Sequence, residues 1–138
     1  MGLYLAVFDG DQEIEGVEVG SYGDFGVFRD AVAEQLERGA AGWRFPTLML
    51  HSDCDGSWSP EEAGHLETEL EQIADEFQRL PPIELKPGSW QSDVAKSLGI
   101  RPKNLYDSFF DVDGEPLIER LVGLIRLSRE HGQEILFQ

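Results

Sequence analysis

The stretch that begins Ser59-Pro60-Glu61-Glu62 constrains the fold of this chain more than any other. Ser59 can cap a helix, Pro60 suits the first helical position, and Glu62 completes a capping box. Ala63, Leu66, Leu70, Ile73, Ala74 and Phe77 then recur at helical spacing, and Pro81-Pro82 ends the run. A helix with one apolar stripe gains most of its stability by packing. It must lay that stripe on a sheet or on other helices.

The flanking sequence supplies both. Leu3 to Phe8 reads as a strand and Asp9-Gly10 as a turn. In Glu13 to Val19 apolar and acidic residues partly alternate, so a second strand with one wet face is expected, with Gly16 at a bulge. A helix capped by Ser21 or Asp24 follows, with Phe25, Phe28, Val32 and Leu36 on one face and Gly39 as its stop. Arg44 to Leu50 is a short apolar run and reads as a buried strand with Pro46 at its start. Ile83 to Leu85 suggests a brief strand, Trp90 to Leu98 a helix closed by Gly99, and Asn104 to Phe110 a strand or a loop. Glu115 to Glu130 reads as a broad-faced helix and Glu134 to Phe137 as a closing strand. The last five residues also resemble the remnant of a viral-protease tag, but the strand reading is preferred. Strands come first and helices interleave irregularly. The expected fold is a single α+β domain over residues 1–138, with a mainly antiparallel or mixed sheet of about four to five strands and about three to four packed helices.

Charge narrows the choice of partner. The chain carries a net −16, and residues 1–78 hold 18 Asp or Glu against Arg29, Arg38 and Arg44, a balance of −15. Residues 79–138 hold 9 acids against 8 bases, a balance of −1. Such a field repels nucleic acid and anionic membrane and suits a cationic protein partner, or solubility alone. No apolar stretch approaches a membrane span, the N-terminus lacks the pattern of a signal peptide, and Cys54 is the single cysteine. A reducing cytoplasm is therefore expected.

The most concentrated chemistry lies in His51 to Glu62. Aligned to a calcium loop, Asp53 and Asp55 fall at ligand positions, Gly56 at the turn and Glu62 at the final bidentate position. His51 stands where an Asp should be, and a strand is expected before the loop where an EF-hand needs a helix. This makes His51, Asp53, Asp55 and Glu62 a weak metal set. The competing reading is an acidic turn that favours a helix N-terminus. Asp111-Val112-Asp113-Gly114-Glu115 repeats the turn, with Arg120 at the twelfth position. Cys54 beside His51 or His65 suggests a nucleophile and base, but flanking Asp53 and Asp55 would raise the thiol pKa. No catalytic residues and no cofactor are assigned.

The polar face of the helix from Pro60 is acidic throughout and has no basic residue before Arg79. It is either a solvated face or a docking face for a basic partner. Trp58, between the acidic turn and this helix, is the preferred binding anchor among Trp43, Trp58 and Trp90. The expected partner-binding set is Asp53, Asp55, Trp58, Glu62, Glu69 and Glu76.

Gly2-Leu3-Tyr4-Leu5, Gly16-Val17-Glu18-Val19-Gly20, Phe45 to Gly56 and Asn104-Leu105-Tyr106-Asp107 together resemble small immunity proteins of bacterial polymorphic toxin systems. The likeness runs along most of the chain. It implies a cytoplasmic, non-enzymatic α+β protein that binds and neutralises the toxin encoded beside it. The expected partner is a basic toxin domain, occluded by the acidic surface. The alternative is a metal-binding module or metal-dependent enzyme centred on His51 to Glu62. A regulatory domain whose acidity serves only solubility is a third reading.

Overall fold

The computed structural model describes residues 2–52 and 55–138. Strands β1 (Gly2–Asp9) and β2 (Gln12–Ser21) form an antiparallel hairpin, and Gly10 makes its turn at φ +64°. Helix α1 (Tyr22–Leu36), the short α2 (Pro46–Met49), strand β3 (Ser57–Trp58), α3 (Pro60–Phe77), α4 (Trp90–Leu98), α5 (Leu117–His131) and β4 (Ile135–Phe137) follow. The sheet order is β2-β1-β4-β3, and every pairing is antiparallel. The α+β expectation is met, with four strands and five helices among the described residues.

Leu3, Leu5 and Val7 of β1 are fully buried, and Leu5 pairs with Val17 on one side and Phe137 on the other. The core above them is closed by α1, α3 and α5, with α3 packed along α5. Phe28 of α1 lies 6.2 Å from Phe77 of α3 and 5.2 Å from Phe109, both edge-on, so three segments meet at one aromatic cluster. β4 is the final strand that the sequence suggests, and its Ile135 and Phe137 are buried.

Local signals place the helix ends well. Ser21 caps α1 and Asp24 completes the box, so both candidate residues act together. Ser59 and Glu62 form the expected box at α3, and Gly99 closes α4 in the left-handed conformation. Three assignments need correction. Arg44 to Leu50 holds α2, not a strand: Phe45 and Leu48, three residues apart as on a helix, are the buried side chains, and the carboxylate of Glu69, on α3, accepts the N–H groups of Thr47 and Leu48 at 3.1 and 3.0 Å. A cap supplied from another helix has no signature in the local sequence. Ile83 to Leu85 runs without a strand partner, whereas Asn104 to Phe110, open between strand and loop, is mainly loop with a 3₁₀ turn at Tyr106–Ser108. Gly16 pairs with Ala6 in regular register, while the irregularities fall between Leu3 and Tyr4 and between Val7 and Phe8. Gly16 is instead needed for space, since a Cβ there would lie 2.0 Å from the Tyr4 hydroxyl.

Candidate protein-binding surface

The acidic residues of α3 do not simply face water. Glu62 accepts the Ser59 N–H at 3.0 Å. Glu76 forms a two-pronged pair with Arg44 at 3.1 and 2.6 Å, which keeps the guanidinium more basic than usual. Glu67 meets Arg129 at 3.0 Å and Arg126 at 3.5 Å, both from α5. Glu69 caps α2. Glu61, Glu71 and Asp75 remain exposed on the same helix.

Trp58 is 1% exposed and is a core residue. Its indole N–H donates to the Thr47 carbonyl at 3.1 Å, and its ring sits 4.8 Å from Phe137 and 4.9 Å from His51. Its side chain therefore presents no surface on which a partner could anchor. His51 stacks on Phe137 at 4.3 Å, and its Nδ1 and Nε2 lie 2.7 and 2.8 Å from the carbonyl oxygens of Ser52 and Ser57. With both nitrogens turned to carbonyls and Glu62 held by Ser59, the described residues gather no cation ligands around Asp55, which is exposed. Asp53 and Cys54 lie outside the described residues. Among the described residues no group of three or more His, Cys, Asp or Glu is placed to hold a metal ion. The second acidic turn is structural. Asp111 is buried, accepts the N–H groups of Asp113 and Glu115 at 3.0 Å each, and pairs with Arg120 at 3.0 Å.

The exposed tryptophan is Trp43. It is 67% exposed, and Leu50 is 70% exposed. Both flank α2. Gly42, at φ +87°, lets the Leu50 side chain rest on the backbone beside Trp43, where a Cβ would come within 2.5 Å of Leu50 Cδ2. Sequence reasoning weighed all three tryptophans and chose Trp58. The signal that favoured Trp43 is its setting in Gly39-Ala40-Ala41-Gly42, a segment with no large apolar neighbour to bury it.

A separate groove of about 220 Å³ lies between α1, α4 and the extended Ile83–Lys86 segment, with Val27, Ile83, Leu85 and Phe109 on its walls. Asp24 stands at its edge. Burial works against the charge on Asp24. Donors from Trp90 Nε1 (2.9 Å), the Ser21 N–H (2.8 Å), Gln91 Nε2 (2.8 Å) and the Ser21 hydroxyl (2.9 Å) outweigh it and hold the carboxyl below its ordinary value of 3.8. No described helix is long and apolar enough to cross a membrane.

The described surface thus joins an acidic α+β scaffold to two exposed apolar side chains, Trp43 and Leu50. The family model described as Immunity protein 70 matches residues 3–137, and the chain belongs to that family, one of the immunity protein families of bacterial toxin systems. No curated protein and no solved structure matches the chain. Membership implies binding to a cognate toxin.

Proposed function

We propose that this protein neutralises its cognate toxin in the cytoplasm by stoichiometric binding, occluding a cationic surface of the toxin with its own acidic surface. The family match along residues 3–137 is the observation that carries the reading. The −15 balance of residues 1–78 supports a basic partner rather than nucleic acid or anionic membrane. Asp53, Asp55, Glu62, Glu69 and Glu76 supply the attracting field in this reading, together with exposed Glu61 and Glu71. No catalytic step is required of any residue, since covering the toxin's own substrate surface suffices.

The test is co-expression with the C-terminal domain of the protein encoded immediately upstream. Growth should be restored by this chain, and the purified pair should form a one-to-one complex whose association slows as salt rises. Failure to rescue, together with no complex at low salt, would refute the proposal.

A further inference from the structure

We infer that Trp43 and Leu50 are the apolar anchor of the partner-facing surface, and that the partner meets them with an apolar recess rimmed by Arg or Lys; the inference rests on the binding function proposed above. Three independent features converge on the fifteen residues from Leu36 to Leu50. The first is exposure. Trp43 and Leu50 are the two most exposed of the large apolar side chains at the described surface, and the Leu50 side chain rests on Gly42, the residue that precedes Trp43. Burying an indole and an isobutyl group on binding removes a large apolar area from water, which suits a hot spot.

The second is the way the loop is held. Glu37 is fully buried at the end of α1. Its Oε2 accepts the N–H groups of Arg44 at 2.9 Å and Phe45 at 3.1 Å, while its buried Oε1 has no hydrogen-bond partner. Arg38, at φ +54°, is the single non-glycine residue at positive φ among those described. The Arg44 guanidinium fastens the other end, donating to the Leu36 carbonyl at 3.0 Å and to Glu76 while lying 4.8 Å over the Phe45 ring. Trp43 precedes that fastened arginine directly. A tryptophan presented on a fixed loop loses little freedom when it binds.

The third is charge. Residues 30–78 hold 12 Asp or Glu against Arg38 and Arg44, and Arg44 is already neutralised by Glu76. The acidic balance of this part of the chain therefore favours a cationic partner, and the exposed indole face offers an Arg or Lys of that partner a cation–π seat.

Surface-plasmon kinetics against the purified C-terminal domain encoded upstream test this. Trp43→Ala and Leu50→Ala should each raise the off-rate about tenfold or more with the thermal midpoint unchanged, and Trp43→Phe should fall between. Val27→Ala and Ile83→Ala, on the groove walls, should leave the off-rate within about twofold. If the wild-type chain binds but both anchor variants dissociate normally, or the groove variants carry the loss instead, the anchor is overturned while toxin binding stands. If the wild-type chain does not bind that domain, the proposed function fails and takes the anchor with it. Should Trp43→Ala prove unstable, Leu50→Ala decides alone.

Discussion

Asp24 joins the starts of α1 and α4 through one side chain. It closes the capping box of α1 and accepts from Trp90 and Gln91 at the start of α4. All of these donors favour the ionised form, so the folded carboxyl titrates below its ordinary value of 3.8 despite burial. A carboxylate with a lowered folded pKa stabilises the fold at pH values above its unfolded pKa, and that contribution is lost as pH falls through the folded value. Urea melts of wild type and Asp24→Asn should therefore differ at neutral pH in favour of wild type, and the gap should close below about pH 4. A pH-independent gap would assign the effect to shape rather than charge. Glu37 acts differently, since its carboxylate serves the backbone of a loop. Glu37→Ala should cost about 1–3 kcal/mol, because the buried Phe45 N–H and the half-buried Arg44 N–H both lose their acceptor. Differential scanning calorimetry would read this directly.

At the scale of elements, α3 organises the domain. Its inner stripe, Ala63, Leu66, Leu70, Ile73 and Phe77, is buried from end to end. Leu70→Ala should cost about 2–5 kcal/mol in a urea melt, as expected for a fully enclosed leucine; a loss under about 0.5 kcal/mol would mean that the stripe is not packed. The outer residues of α3 bind neighbouring elements. Glu69 holds the start of α2, Glu76 holds Arg44, and Glu67 ties α3 to α5. Glu69→Ala should cost about 1 kcal/mol, the worth of a helix cap, and should loosen α2 selectively. Hydrogen exchange at Thr47 and Leu48 would report it, and unchanged protection there would show that water replaces the carboxylate without loss.

For the whole molecule, the uneven charge matters most. Long-range attraction acts on encounter, so association should slow sharply as salt shortens the Debye length from ~30 Å at 0.01 M to ~8 Å at 0.15 M, with dissociation changing less. Charge reversal at exposed Glu61 and Glu71 is the clean probe. Reversal at Glu69 or Glu76 would also break a cap or an ion pair and confuse folding with binding. A salt-insensitive on-rate, with both reversals silent, would leave the acidity to solubility.

What the sequence by itself determined is local or periodic. The capping boxes at Ser21 and Ser59, the stripe of α3, the hairpin turn at Gly10 and the left-handed close of α4 depend on neighbours within about one helical turn, and such neighbours are legible in order along the chain. Net charge and its asymmetry are also sums over sequence. The tertiary structure alone decided the rest. The apolar run at Phe45–Leu50 becomes a helix because Glu69, some twenty residues later, caps it, whereas periodicity in a run that short favours neither state. The acidic face of α3 finds its cations on Arg44, Arg126 and Arg129, which are remote in sequence. Which tryptophan is buried was settled in the same way. Trp58 is enclosed by His51 and Phe137, while Trp43, on a loop fixed by Glu37, meets no such cover. Burial depends on which distant segments arrive, and the Gly-Ala setting of Trp43 in the sequence shows only that its local neighbours do not cover it.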